Sequence, residues 1–312
     1  MSKNDPMIYN FDILKERVFD TLNLTDVSKE LKKIKGPTIC VGSGGSHVVA
    51  TFASTVLNVK NNCPTKALEP RDALYENLKN YKNIFVCSYS GNNHGVNILK
   101  DLDAKKYLLT YGEETDSNFK KLKCNSSIAK EMSFISLGAT LMPMSILLSY
   151  YLDNDCTNLI NSLLNYSKKL SFNLNDCDLS YDVISGNDTL TAEKYLDSTF
   201  VESGLGNLIT HKKYDFCHGR STLAYTEKRN LIYLIANRNE LDDLLLDSLK
   251  DRYKNIIVLE SSFNDIVIDN FSLTIQAMYL TKALAQAKNI DLSIVNYDKP
   301  LCKVLYKYKG RM

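Results

Sequence analysis

The six residues Ser88-Tyr89-Ser90-Gly91-Asn92-Asn93 collect hydroxyls, a glycine and carboxamides in one short stretch. They follow an apolar run, Asn83-Ile84-Phe85-Val86-Cys87, that reads as a strand, and they precede a helical pattern. A strand end that opens a helix presents unpaired backbone N–H groups and the positive end of the helix dipole, which together suit an anion. Ser88, Ser90 and Asn93 can add side-chain donors, and Gly91 lets the backbone come close. A second stretch of this kind, Gly42-Ser43-Gly44-Gly45-Ser46, ends the earlier apolar run Thr38 to Val41. It lacks the later glycine of a dinucleotide fingerprint and no Walker lysine follows, so nucleotide binding is disfavoured. A phosphorylated small molecule is the ligand these two turns imply.

Further along, Glu202 lies in the mainly apolar stretch Phe200-Val201-Glu202-Ser203-Gly204-Leu205, a setting that tends to raise a carboxyl pKa and suits a general base. His218 stands at an expected strand end beside Gly219 and Arg220. An imidazole there can move protons near neutral pH, and Arg220 can present a planar fork to phosphate or carboxylate. Lys130-Glu131, ahead of a long apolar segment, can either cap a helix or line a pocket. Lys299-Pro300-Leu301-Cys302-Lys303 opens the C-terminal tail.

The elements that must position these groups read as alternating strand and helix. In the first half, strands are expected at 38–41, 66–68, 84–87, 106–110 and, as a short fifth, Ser126 to Ala129. Helices are expected at about 47–59, at 72–81 with Asp72 as N-cap, and at about 94–102. In the second half, strands are expected at 182–184, 214–217, 231–236 and 255–259, and helices at about 192–210, 241–253 and 271–287. Matching strands are offset by 148 residues (84 to 232) and 149 residues (107 to 256), which an internal duplication explains most simply. The expected fold is α/β, with parallel sheets flanked by helices on both faces. The polar equipment is divided between the copies. The first has the serine turn, where the second reads Ala236-Asn237-Arg238-Asn239, and only the second has Glu202 and His218-Gly219-Arg220. That division implies one composite site where the copies meet.

Composition excludes several classes. Across 312 residues the formal charge is +2, so nothing draws the chain to nucleic acid or anionic lipid. Eight cysteines are spread singly with no CxxC pair and only four histidines accompany them, which gives a zinc site no support. Unpaired thiols and an N-terminus without a signal-peptide core point to the cytoplasm. The uncharged stretch Phe134 to Leu152 is long enough to span a bilayer. It also carries Ser136, Thr140, Pro143, Ser145 and Ser149, so a helix buried between layers or at a subunit interface is expected, and no membrane.

Taken together, the motifs resemble the sugar isomerase (SIS) domain family, specifically its double-SIS members, of which the isomerase half of glucosamine-6-phosphate synthase and related sugar-phosphate isomerases and deaminases are the nearest in architecture. The resemblance spans about residues 25 to 305. It rests on the glycine turn 42–46, the serine turn 88–93, Glu202 with His218 sixteen residues later, and Asp298-Lys299-Pro300 with Lys303. It implies two tandem SIS domains, at 25–155 and 179–312 including the tail, joined by a linker helix and connector at 156–178. A helical extension over 1–24 precedes them. It further implies that Ser88, Tyr89 through its backbone, Ser90 and Asn93 grip a sugar phosphate. Ser43 and Ser46 would touch sugar hydroxyls, and Glu202 would shuttle a proton between C1 and C2 of the open-chain sugar. His218, from this chain or a neighbouring subunit, would assist ring opening, and Lys303 would approach from the tail. Two positions depart from the family pattern. Asn93 stands where a threonine is usual, and Thr199 stands where the synthase has a lysine, which points away from amino-group synthesis. The expected activity is aldose–ketose isomerisation, or deamination of an aminosugar phosphate with the same base. A non-catalytic sugar-phosphate sensor is the alternative. The resemblance calls for no metal or redox cofactor, and for a homodimer or a dimer of dimers.

Overall fold

The computed structural model describes residues 6–113, 117–129, 131, 133, 135, 137–174 and 180–294. The tail with Lys299 and Lys303 lies outside these residues, as does Lys130.

Helices α1 (Pro6–Asp12), α2 (Leu14–Leu24) and α3 (Ser28–Leu31) lead into β1 (Thr38–Val41), α4 (Gly45–Asn61) and β2 (Thr65–Leu68). Then come β3 (Asn83–Cys87), α5 (His94–Asn97), β4 (Lys105–Thr110), β5 (Lys120–Lys123), α6 (Gly138–Leu152) and α7 (Thr157–Lys168). The second half runs β6 (Ser180–Ser185), α8 (Leu190–Ser203), β7 (Asn207–Lys212), α9 (Lys213–Phe216), α10 (Leu223–Thr226), β8 (Asn230–Ala236), α11 (Glu240–Leu249), β9 (Asn255–Ser261) and α12 (Ile266–Ala287). The strands make two parallel sheets, ordered β2-β1-β3-β4-β5 and β7-β6-β8-β9. The first four strands of each half therefore follow one permuted order. Strands β1, β3 and β8 are buried along their whole length, as their unbroken apolar runs require when both faces are covered.

The sheets do not stand apart. Helices α4, α6, α8 and α12 pack on one another between them, and one core runs from Phe11 and Leu14 through Phe52, Leu147 and Phe200 to Phe271 and Leu284. The outer face of each sheet has its own smaller cluster, around Ile84 and Leu108 in one and around Tyr233 and Leu249 in the other. Because α12 is wrapped by neighbours, it is buried on nearly every side, Asp269, Asn270 and Gln276 included. Helix α6 is the apolar stretch weighed as a bilayer span. It has 15 residues and most of them are buried, and no helix among the described residues is long and apolar enough to cross a membrane.

Several expected elements shift. The helix expected to reach residue 210 stops at Ser203, because Gly204 takes a left-handed φ of 69° and its N–H bonds back to the last turn. Residues 207–212, with Leu208, Ile209 and Thr210 together, then form β7, and the strand expected at 214–217 is instead the short helix α9. Its alternation of aromatic and polar residues imitated a strand. The helix expected over 72–81 is two 3₁₀ turns, Asp72–Tyr75 and Leu78–Asn80, separated by an extended Glu76, and Asp72 lies inside the first turn instead of capping it. The helix expected over 94–102 keeps one regular turn, α5. The fifth strand lies at 120–123, where Lys120, Lys121 and Lys123 masked it, and not at 126–129.

Candidate functional site

In a parallel sheet, polar turns at the carboxyl ends of neighbouring strands share one rim. β1 pairs with β3, Val41 beside Val86, so the glycine turn and the serine turn leave the sheet side by side. Helix α8 of the second half packs against α4, which begins at the glycine turn. The result is a cavity of about 150 Å³ lined by Ser43, Ser46 and Tyr89 from the first half and by Tyr195, Ser198, Thr199 and Glu202 from the second, with Thr140 of α6. Four of the residues singled out in the sequence, Ser43, Ser46, Tyr89 and Glu202, thus meet in one place. Thr199, at the position of the synthase lysine, also faces it.

Glu202 differs from expectation in its surroundings. It is exposed, and its Oε1 accepts a hydrogen bond from Ser198 Oγ one turn earlier at 2.7 Å, so a hydroxyl sits where apolar packing was expected. The carboxylate stands over the glycine turn, 3.4 Å from where a Cβ on Gly44 would lie.

The serine turn is held by its own side chains. Ser88 is buried, and its Oγ accepts from Gly91 N at 3.2 Å and from Asn93 Nδ2 at 3.1 Å. Asn93 Oδ1 accepts from Val96 N at 3.0 Å, which caps α5. The turn is braced from β4. The Tyr89 carbonyl accepts from Tyr111 N and from Thr110 Oγ1, both at 3.2 Å, and the Tyr89 and Tyr111 rings stack with centroids 5.0 Å apart. A Cβ on Gly112 would lie 1.9 Å from the Ser90 carbonyl oxygen, so only glycine allows this approach. Ser88 borders a small gap beside Ser46 and Tyr89, whereas Ser90 faces an adjoining cavity of about 380 Å³ with Tyr111, Lys123 and Ser126. Tyr89 forms a wall of both.

Other expected residues lie elsewhere. His218 is exposed just after α9 and does not line the cavity with Glu202 in this chain. Arg220 donates from Nε to His211 Nδ1 at 3.1 Å and from an Nη to the Thr210 carbonyl at 3.3 Å, which directs it to β7 and away from the cavity. Of the pair Lys130-Glu131, Glu131 is a cap. It is buried and accepts from Leu137 N and Ala139 N, both at 3.1 Å, at the start of α6. Burial pushes its pKa up, against those bonds and the Arg17 charge. A backbone hydrogen bond from Glu131 also reaches the Tyr89 phenol.

The sequence reading missed the groups on the far side of Glu202. There a groove of about 630 Å³ is lined by Gly44, His47, Glu69, Asp72, Lys194, Asp197 and Glu202. His47 directly follows the glycine turn, and Glu69 directly follows β2, a signal of position that could have found both. Among the described residues no group of three His, Cys, Asp or Glu could hold a metal ion.

No protein-family profile and no curated protein matches the chain. Solved structures do. Glucosamine-6-phosphate deaminase from Thermotoga maritima superposes with a TM-score of 0.70 at 18% identity, over 94% of this chain and 96% of that one. Tagatose-6-phosphate ketose/aldose isomerase from Escherichia coli gives 0.67 at 13% identity, over 95% and 98%. The C-terminal domain of glucosamine-fructose-6-phosphate aminotransferase from Francisella tularensis gives 0.65 at 13% identity, over 94% and 99%. Phosphosugar isomerases and deaminases are thus the chain's neighbours in fold, over nearly its whole length, in agreement with the resemblance read from the motifs.

Proposed function

We propose that this chain, with the fold of the sugar-isomerase proteins, binds a sugar phosphate and interconverts its aldose and ketose forms, or removes the amino group of an aminosugar phosphate with the same base. The observation that carries this reading is the single cavity in which Ser43, Ser46 and Tyr89 of one half face Glu202 of the other. Anion-binding turns alone would suit many ligands. A carboxylate placed across from them suits carbon-acid chemistry.

In this reading the two sheets are the cores of two tandem SIS domains, at about 25–155 and 179–312. The phosphate is held at the serine turn by Ser88, Ser90, Asn93 and the N–H groups of the turn, and the sugar chain runs past Ser43 and Ser46. Glu202 takes the proton from C2 and returns it to C1 through an enediol. A positioned base of this kind supplies roughly 10²–10⁴-fold, and orientation by the phosphate supplies much of the rest. His218 is exposed, so a role in ring opening requires delivery by a second copy, and we propose a homodimer acting in the cytoplasm. Lys303 would close the site from the tail.

The exposure of His218 and the outward turn of Arg220 favour a second reading, a sensor that binds a sugar phosphate without turning it over. One experiment separates the two. Thermal-shift screening against hexose and pentose phosphates, with their amino and N-acetyl forms, finds the ligand. A ligand at a hundred times its dissociation constant adds about 2.7 kcal/mol of stability. Solvent deuterium appearing at C2 of that ligand supports the enzyme, and tight binding without exchange supports the sensor.

A further inference from the structure

The groove beyond Glu202 holds an imidazole and a carboxylate that none of the roles above uses. Its position follows from the sheet. β1 and β2 are parallel neighbours with Val41 beside Leu68, so the turn that carries Ser43 and His47 and the residue after β2, Glu69, leave the same rim together. His47 Nδ1 lies 3.8 Å from Glu69 Oε1, just outside hydrogen-bond reach. That nitrogen is buried and has no hydrogen-bond partner. The Ser43 hydroxyl in turn lies near enough to Glu69 to favour its charged form, and Ser43 lines the smaller cavity. A line of contacts therefore runs from His47 through Glu69 to Ser43 and passes beneath the Glu202 carboxylate at Gly44.

A solvated ion pair at a groove edge would leave both partners free to hydrate. Here the imidazole is only 17% exposed and its unpaired nitrogen faces inward. The charged and titratable groups around the pair come from three elements: Glu69 after β2, Asp72 from the 3₁₀ turn, and Lys194, Asp197 and Glu202 from α8. Burial pushes the Glu69 pKa up, and the Asp72 and Glu202 charges add to this against His47 and the Ser43 hydroxyl. Such a carboxyl keeps its proton to higher pH than an ordinary glutamate, as an acid catalyst requires. Catalytic contacts are often loose without substrate and tighten when it binds.

We propose that Glu69 and His47 are the second proton-transfer unit of the site, serving the sugar's oxygen atoms while Glu202 serves its carbons. This rests on the isomerase reading above. As Glu202 removes the C2 proton, the pair delivers a proton to O1, and a neutral enediol forms. Glu202 then returns its proton to C1, the pair takes the proton from the O2 hydroxyl, and the ketose is left. Each group ends as it began, and no co-reactant is consumed.

Two measurements on the full chain test this. The first needs no turnover. The imidazole resonances of His47, with four histidines to assign, are compared by NMR in the wild type and in Glu69→Gln at one neutral pH. Replacing the facing side chain 3.8 Å away moves the His47 resonances more than those of the other histidines. Unmoved His47 resonances overturn the pairing.

The second measurement compares C2 deuterium exchange with net isomerisation in Glu69→Gln and His47→Gln, with melting temperature as the check on folding. If the pair moves oxygen protons, isomerisation falls by roughly 10²-fold while exchange falls far less, because carbon deprotonation is still possible. The exchange-to-turnover ratio rises about tenfold or more. Equal loss of both rates in a folded variant overturns the assignment, since a merely structural residue acts that way. If either variant fails to fold, the other carries the comparison. Wild-type protein that exchanges C2 of no sugar phosphate sinks the isomerase reading and this role with it, whatever the His47 resonances show.

Discussion

The turns that end β3 and β8 occupy equivalent places in the two sheets and have opposite fates. After β3, Ser90 and Asn92 remain exposed, with Ser90 on the wall of a cavity, while Ser88 and Asn93 brace the turn. After β8 the protein supplies its own anion. Asp269 of α12, fully buried, accepts from Asn237 Nδ2 at 2.9 Å, Ser261 Oγ at 2.6 Å, Phe263 N at 2.9 Å and Asp265 N at 3.2 Å. Asn239 caps α11, and Arg238 is paired with Asp243 and Glu260. One topology thus gives two rims. Whether a rim binds a ligand depends on whether its donors are already taken by the chain.

The sharpest way to break this comparison is to remove the one group the second half lends to the first rim. Glu202→Gln should lower turnover by about 10²–10⁴-fold while sparing the ligand-induced rise in melting temperature. Loss of both together would mean that Glu202 holds the ligand instead of transforming it. Opening the second rim comes next. Asp269→Ala leaves several buried donors unsatisfied and should cost about 3 kcal/mol in urea unfolding. Inorganic phosphate should recover part of that loss if the vacated place is an anion site.

Smaller effects bear on the first rim alone. Gly112→Ala drives a methyl into the Ser90 carbonyl and should cost roughly 1–3 kcal/mol and weaken sugar-phosphate binding, read by melting and by titration calorimetry. Ser88→Ala removes the acceptor for Gly91 N and Asn93 Nδ2. It should cost about 1–2 kcal/mol and weaken binding by a similar factor. The smallest effect concerns pH and Glu131, whose folded pKa is raised. Below the ordinary glutamate value of 4.5 both folded and unfolded chains carry the proton. As the pH climbs past it the unfolded chain ionises first, so the folded state loses stability until its own raised pKa is passed. Glu131→Gln should flatten that decline in unfolding curves taken across this range.

How much of this was legible in advance varies with the kind of signal. Strands β1, β3 and β8 were plain, because a strand covered on both faces must be an unbroken apolar run, and β4 and β9 were found by the shorter apolar runs they contain. β7 was not, because its apolar positions continue the pattern of α8 and only the left-handed Gly204 separates them. Ser43, Ser46, Tyr89 and Glu202 were found by residue type beside turn signals. For His47 and Glu69 the only local mark is position, one just after the glycine turn and the other just after β2, and nothing in the chain order says that residues 47 and 69 are neighbours.

By itself the sequence determined the alternation of elements, the two polar turns and the absence of a strong net charge, since these depend on residue type and on spacing within a few residues. Tertiary structure alone decided that α8 carries Glu202 across to the turns of the other sheet, that Arg220 spends its guanidinium on His211, and that Asp269 fills the second rim. Those outcomes depend on which groups are brought within a few ångströms by packing, and hydrogen bonds and charges act only over such distances.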